Sequence, residues 1–271
     1  MTPGQKTLFA GAVQVVTCAG SGEARRGGAM ADAGVRTGVA VLVDGPRIVA
    51  VDDDAALRRA HPDAAVVDCT GGVLLPGFVD SHTHGVFGRP RFEEQELRAA
   101  GHDYMEIARR GGGIHSSVRD LRTRSEDALV ALALPRLARL AASGVTTVEL
   151  KSGYGLTLED ELKTLRVIAR LRTLLPMRIV ATFLGAHEIP LEYRDRARGR
   201  EEYIALLTEE MIPAVARERL AEFADVFCET GVYTATESRR ILTAARAHGL
   251  GLKLHADELT DAGGAALAAE M

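Results

Sequence analysis

The feature that most constrains the fold is an alternation of apolar runs and helical patterns that begins at Gly72. Serial strand–helix units build a parallel sheet, either an open doubly wound sheet or a (β/α)8 barrel. Five strands cannot close an eight-stranded barrel, so the pattern predicts an open sheet or part of a barrel. The predicted strands, which are apolar on both faces as buried parallel strands are, cover residues 73–81, 145–151, 178–186, 225–229 and 250–255.

Helical spacing of apolar residues fills the gaps between these strands. Thr123 and Glu126 form a capping box before the first helix, and Pro135 is expected to kink that helix. The further predicted helices run from 158 to Pro176, over 200–220, and over 235–248 up to Gly249.

The first 71 residues show a different pattern. Two β-branched runs within residues 39–51 flank Asp44 and Gly45, which is a strong hairpin pattern. We therefore expect a small β unit over 1–71, followed by the strand–helix units of 72–271. Within 1–71 the sequence also predicts strands at 8–17 and 65–69, a loop at 22–36 and a short helix at 53–64.

Composition excludes several classes of protein. The net charge of −4 is spread evenly, which argues against a nucleic-acid-binding tail. Three distant cysteines, Cys18, Cys69 and Cys228, do not make a disulfide framework and favour a reducing compartment. No apolar run reaches membrane-spanning length, and the N-terminus lacks the pattern of a signal peptide. A cytoplasmic enzyme with no nucleic-acid or membrane partner is the expectation.

A pair of histidines at one strand end is the first chemical clue. His82 and His84 are separated by one residue, and residues i and i+2 of an extended chain point to the same side. Two imidazoles at the mouth of a parallel sheet, beside Asp80, suit a first-row divalent metal. Two histidines in a surface loop are the alternative.

Polar side chains follow the other strands as well. This is the pattern of a barrel active-site face, although each residue alone is more often structural. The residues are Lys151, Tyr154, His187, Glu229, His255 and Glu258. An internal ion pair is the simpler interpretation of Lys151 and Glu229, which we leave unassigned. His115 either reaches the pocket or caps a loop, and no constellation surrounds His61, His102 or His248.

Residues 73–271 resemble the amidohydrolase superfamily of metal-dependent barrel hydrolases. The resemblance implies a partial (β/α)8 barrel over 72–271 and a small β-sandwich portion over 1–71. The finer motifs are similar to those of the imidazolonepropionase family, and KSGYGL and FLGAH are more specific than HTH. The motifs are HTHGVFGRPR, GGGIHSSV, KSGYGL, TFLGAHEIP, DVFCETGVY and HADE. The resemblance implies one divalent metal ion, zinc or iron, held by His82, His84 and His255. The sequence does not indicate an oligomeric state, and a homodimer is expected because it is the commonest symmetric assembly.

The resemblance also implies a reaction, the hydrolytic opening of 4-imidazolone-5-propanoate to N-formimidoyl-L-glutamate in histidine degradation. Arg91 would hold the propanoate carboxylate, and Tyr154 would donate a hydrogen bond to the substrate. His187 would donate to the ring carbonyl and favour oxyanion charge. Glu258 would bind a ring N–H or shuttle a proton. A surface role for Arg91, a turn role for Tyr154 and a helix N-terminal role for Glu258 are the structural alternatives.

The chain departs from the family pattern at its end. The family continues with a further strand-end histidine and an aspartate, and neither has a counterpart before Met271. We expect a C-terminally truncated member of the family. Two other hypotheses are another amidohydrolase, such as a heterocycle deaminase, and a catalytically inactive truncated chain.

Overall fold

The computed structural model describes residues 5–20, 22–101 and 112–271. The chain divides into two compact units, Met1–Gly77 and Phe78–Met271. His102, which the sequence analysis left outside any constellation, lies outside the described residues. Within the described ranges, no helix combines the length and apolarity that a membrane crossing needs.

The first unit contains a four-stranded sheet of order β5-β4-β1-β6 and a three-stranded sheet of order β3-β2-β7. The predicted hairpin is confirmed, because β4 and β5 pair antiparallel from Val39↔Asp53 to Asp44↔Arg47. The elements are β1 (Lys6–Ala10), β2 (Gln14–Val16), a 3-10 turn (Gly27–Ala31), β3 (Val35–Arg36), β4 (Val39–Asp44), β5 (Arg47–Asp53), α1 (Asp54–Ala60), β6 (Ala65–Asp68) and β7 (Val73–Leu74).

The single strand predicted over 8–17 is wrong. Gly11 has a φ of +82°, a conformation that other residues rarely adopt, and the chain turns there from β1 into β2. A Cβ atom at Gly11 would lie 2.8 Å from Oγ1 of Thr70. The predicted loop at 22–36 also ends in the short strand β3, which pairs with β2.

The second unit is built on five parallel strands of order β12-β11-β10-β9-β8, so neighbours in sequence are neighbours in the sheet. The prediction of five strands in serial strand–helix units is confirmed. The strands are β8 (Phe78–Asp80), β9 (Val145–Lys151), β10 (Arg178–Ala186), β11 (Phe223–Cys228) and β12 (Gly251–Ala256). The strand predicted over 73–81 is instead two short strands separated by Leu75, Pro76 and Gly77, since proline has no N–H for a strand ladder.

Helices follow the strands of this unit. They are α2 (Phe92–Ala99), α3 (Ile114–Arg122), α4 (Glu126–Ala142), α5 (Leu158–Leu174), α6 (Leu191–Arg194), α7 (Gly199–Leu206), which continues through a π-helical turn (Leu207–Met211) into α8 (Ile212–Glu218), α9 (Ala235–Ala247) and α10 (Gly264–Glu270).

The first predicted capping box is wrong. Ser125, not Thr123, caps α4, and its hydroxyl accepts from the backbone N–H of Ala128. The hydroxyl of Thr123 instead donates to the carbonyl of Asp120 and so belongs to the end of α3. The span of α4 runs on through Pro135.

The sheet is strongly curved. Adjacent strands lie about 4.8 Å apart, so a flat five-stranded sheet would hold its outer strands roughly 19 Å apart. Yet His82, just after β8, and His255, in β12, have ring centroids only 4.4 Å apart. Because β8 and β12 are the two outer strands, their carboxyl ends meet only if the sheet curls as in a barrel. The curvature excludes the open doubly wound alternative and supports a partial (β/α)8 barrel.

Candidate active site

Three histidines converge at the carboxyl edge of the parallel sheet. His82, His84 and His255 each offer one ring nitrogen, and these three atoms lie within 4.8 Å of one another. The ring centroids of His82 and His84 are 5.4 Å apart, and those of His84 and His255 are 5.6 Å apart. A tetrahedral site needs three such ligands and leaves a fourth position open for water or substrate.

The segment between β8 and α2 is anchored to the neighbouring strand. Thr83 donates its hydroxyl to the carbonyl of Glu149 at 2.6 Å, and its own carbonyl accepts from the N–H of Lys151 at 3.1 Å. His82 and His84 flank this anchored residue. The HTH spacing therefore fixes both imidazoles with respect to β9.

His82 and His84 are held in the neutral form that metal binding requires. Burial, assisted by the neighbouring His187 and His255, lowers the pKa of His84 to about 2. Burial and His255 also lower the pKa of His82. Nδ1 of His84 and Nε2 of His255 are buried and have no hydrogen-bond partner among the described residues. Buried nitrogens without a partner are costly, so these residues fit a bound metal ion.

A buried ionic network lies behind the histidines. Lys151 is 1% exposed, and its Nζ lies 2.7 Å from Oε1 of Glu149 and 2.7 Å from Oδ2 of Asp225. The same Asp225 oxygen lies 2.9 Å from Nδ1 of His255. Burial alone would raise the pKa of Asp225, but its contacts with His255 and Lys151 outweigh burial and hold that pKa at about 2. Asp225 is therefore an ionised carboxylate that lies against Nδ1 of His255 and orients that ring.

A cavity of about 500 Å³ opens over the histidine cluster. All seven residues that the sequence analysis selected for the site line it: His82, His84, Arg91, Tyr154, His187, His255 and Glu258. Residues that the sequence analysis missed complete the lining: Arg98, Ile114, Glu188, Phe227 and Leu259. Spacing offered a clue to one of them, because Arg98 follows Arg91 by seven residues and so lies near the same side of α2.

The guanidinium of Arg91 forms an ion pair within the protein. Its guanidinium lies 3.4 Å from Oε2 of Glu94, whose other oxygen accepts from the N–H of Gly113 at 2.8 Å. Arg91 thus has a carboxylate neighbour that steadies it at the cavity wall. Glu258, by contrast, is exposed in the segment that follows β12.

His187 is oriented by the KSGYGL loop. Its Nδ1 lies 2.9 Å from the carbonyl oxygen of Gly153. A carbonyl can only accept, so Nδ1 carries the proton. Burial lowers the pKa of His187 to about 4 even though the bond to Gly153 raises it. The neutral ring then has no N–H on Nε2, so the expected hydrogen bond from His187 to the ring carbonyl needs a further proton on that nitrogen and stays a prediction.

Two glycines give the loop its path. Gly153 has a φ of +106°, and a Cβ there would lie 2.9 Å from Nδ1 of His187. A Cβ at Gly155 would lie 2.6 Å from the backbone N of Glu161 at the start of α5. Larger residues would displace His187 or the helix, which is why the KSGYGL pattern is informative.

The residues that were left unassigned have structural partners. Lys151 is indeed in an internal ion pair, but its partners are Glu149 and Asp225 and not Glu229. Glu229 accepts from the backbone N–H groups of Leu259 and Thr260 and so fixes the segment after β12. His115 lies in the first turn of α3 and is not among the residues that line the cavity.

Two solved structures of deaminases share this architecture. A 5-methylcytosine deaminase from Klebsiella pneumoniae liganded with 5-fluorocytosine matches 95% of this chain and 52% of its own, with a TM-score of 0.60 and 18% identity. An adenosine deaminase from Xanthomonas campestris with bound zinc matches 94% of this chain and 50% of its own, with a TM-score of 0.53 and 17% identity. At these identities the likeness establishes the fold. The curved parallel sheet and this likeness place the chain in the same fold class as these deaminases.

Sequence comparison narrows the class. The imidazolonepropionase of Symbiobacterium thermophilum is 54% identical over 268 residues, which are 97% of this chain and 62% of the relative. That of Myxococcus xanthus is 50% identical over 95% of this chain and 60% of its own length. A model of the bacterial imidazolonepropionase-like composite domain matches residues 40–64. The chain belongs to the imidazolonepropionase family and spans about three fifths of the length of these relatives.

Proposed function

We propose that this chain carries the metal-binding and substrate-binding face of a hydrolase that opens 4-imidazolone-5-propanoate to N-formimidoyl-L-glutamate. The observation that carries the proposal is the convergence of three histidines beneath a cavity that Arg91, Tyr154 and His187 also line. The names of relatives about 50% identical to the chain support the choice of substrate. A zinc or iron ion, a cytoplasmic location and a homodimer belong to the proposal.

His82, His84 and His255 would hold the metal ion. A divalent ion bound there would lower the pKa of a coordinated water and polarise the ring carbonyl. Asp225 supports this set from behind, because its carboxylate lies 2.9 Å from Nδ1 of His255 and so directs Nε2 of that ring towards the cluster.

The substrate has one carboxylate and a planar ring with N–H and C=O groups, and the cavity offers a group for each. The Arg91 guanidinium suits the propanoate carboxylate, since it can form a charge-assisted pair. The Tyr154 hydroxyl can donate to the substrate, and the Glu258 carboxylate can accept from a ring N–H or pass a proton to the leaving nitrogen.

His187 would act as a proton acceptor in the resting site. Its Nδ1 proton is committed to the carbonyl of Gly153, so Nε2 has a lone pair. That nitrogen can accept a hydrogen bond from a substrate N–H or from the attacking water. Once it has taken a proton, the same ring becomes a donor and can stabilise negative charge on oxygen.

The test is turnover with metal analysis on the purified chain. We expect zinc- or iron-loaded protein to consume 4-imidazolone-5-propanoate, and His255→Ala to lose both metal and turnover. His248→Ala is the matched control, because His248 lies at the end of α9 and not in the cavity lining. Turnover of cytosine or guanine alone would replace the proposal with a heterocycle deaminase. Bound metal without hydrolysis of any of these compounds would make the chain a metal-binding protein without this activity.

A further inference from the structure

A fully buried carboxylate organises the loop beside the cavity. Glu161 is 0% exposed and lies in the first turns of α5. Its oxygens accept from the backbone N–H groups of Gly153, Gly155 and Leu156, at distances between 2.8 and 3.2 Å. Burial raises the pKa of Glu161, and hydrogen bonding to Ser152 and to these N–H groups opposes that rise. None of the ion pairs found in the described residues includes Glu161.

The arrangement calls for a carboxylate. Every partner of Glu161 is a donor, and an ionised carboxylate is the side chain that offers two oxygens and no proton. Helix α5 already has its own cap, because the Thr157 hydroxyl accepts from the N–H of Asp160. The Glu161 side chain is therefore directed to the loop and not to the helix that carries it.

The loop in turn contacts the site. Gly153 donates its N–H to Glu161, and its carbonyl accepts from Nδ1 of His187 at 2.9 Å. Tyr154, the next residue, lines the cavity. Ser152 links the loop to β10, since its hydroxyl oxygen accepts from the N–H of Leu184 at 2.9 Å. A single residue, Gly153, thus links Glu161 to His187.

We propose that Glu161 is a positioning residue for the reaction. By holding Ser152–Leu156, it aims the Gly153 carbonyl at His187, keeps that ring in the Nδ1-protonated tautomer and keeps Tyr154 on the cavity wall. The importance of the tautomer rests on the proposed function, because Nε2 must be an acceptor when substrate enters. The geometry itself does not depend on that function.

The variants are Glu161→Asp, which keeps the charge but shortens the reach, and Glu161→Gln, which keeps one acceptor oxygen. Thr164→Val is the matched control. Thr164 lies on the same helix and is also 0% exposed, and its hydroxyl donates to the carbonyl of Asp160, away from the loop. All three variants remove buried hydrogen bonds and should lower stability.

Two measurements separate positioning from stability. The nitrogen NMR shifts of His187 report the tautomer, and steady-state kinetics separate kcat from KM. We expect Nδ1-protonated His187 in the unsubstituted chain and in Thr164→Val, and a mixture with the Nε2-protonated form in Glu161→Asp. We expect kcat to fall between tenfold and a hundredfold in Glu161→Asp, since a displacement of about 1 Å can cost that much. KM should change less than threefold, because Arg91 is untouched. The kcat of Glu161→Gln should lie between those of the unsubstituted chain and Glu161→Asp.

An unchanged tautomer and a kcat within twofold of the unsubstituted chain in both Glu161 variants would overturn the proposal and leave Glu161 a purely structural residue. If the unsubstituted chain has no turnover, the proposed function fails. The tautomer measurement then decides the role of Glu161 by itself.

Discussion

Replacing Lys151 with methionine tests the buried network most sharply. The ammonium group lies between two carboxylates, 2.7 Å from Glu149 and 2.7 Å from Asp225, and neither carboxylate is more than 3% exposed. Methionine fills similar space but has no charge. The substitution leaves Glu149 and Asp225 buried without the ammonium group that contacts both of them.

The expected loss of unfolding free energy depends on the partners that the two carboxylates keep. Breaking a buried ion pair by removing one partner costs about 3–5 kcal/mol. Glu149 keeps Lys253 at 3.0 Å, and Asp225 keeps the contact with His255 at 2.9 Å. These partners place the loss near the lower end, at about 3 kcal/mol of unfolding free energy. For a unit of this size that corresponds to a fall in Tm of roughly 6–12 °C.

Thermal unfolding followed by far-ultraviolet circular dichroism measures this fall. Arg170→Met is the matched control, since Arg170 and Asp127 are as close, at 2.6 Å, but are 43% and 84% exposed. An exposed pair is worth less than about 1 kcal/mol, so the control should shift Tm by less than about 4 °C. Equal shifts in the two variants would refute the conclusion that Lys151 neutralises buried charge.

Three further outcomes are expected. Arg91→Met should raise KM for 4-imidazolone-5-propanoate about tenfold to a hundredfold with a smaller change in kcat, whereas the exposed neighbour Arg89→Met should leave KM within twofold; equal effects would remove Arg91 from carboxylate binding. Asp225→Asn should weaken zinc affinity about 10–100-fold through His255, and calorimetric titration that finds no change would contradict this support. Metal-free protein should lose stability as the pH falls from 6.5 towards 4, because the pKa of His187 is lowered to about 4 and that of His84 to about 2, so that only the unfolded chain takes up these protons; His187→Gln should lose less, and a flat Tm across that range, or an equal fall in His187→Gln, would refute the assignment.

The site residues at the strand ends could be predicted from the sequence, because the geometry that places them is local. The i and i+2 spacing places His82 and His84 on one side, and parallel strands bring their carboxyl ends to one edge. The resemblance of the motifs then selected Arg91, Tyr154 and Glu258, all of which line the cavity. Their chemical roles are still predictions.

The ionic network behind the site could not be predicted from the sequence, because it depends on which strands are neighbours in the sheet. Asp225 and Glu149 occupy strands that read as apolar, and a charged residue inside such a strand was the only clue. Their partner Lys151 becomes evident only when β9 and β11 flank β10. The curvature that brings β8 to β12 is likewise a property of the whole sheet.

The role of Glu161 could not be predicted from the sequence for a different reason. An acidic residue early in a helix reads as favourable to the helix dipole, and the sequence gives no sign that its side chain reaches back to Gly153. The tautomer of His187 was not predictable from the sequence either, since it is set by a partner 34 residues away.

Metal binding by the three histidines is the central claim, and an equilibrium zinc titration of the metal-free chain tests it most directly. We expect one ion per chain, and a loss of binding of more than a hundredfold in His84→Ala, whose imidazole is in the cluster. His61→Ala, at the end of α1, should bind as the unsubstituted chain does. Zinc binding of equal strength in both variants, or no binding by the unsubstituted chain, would contradict the account.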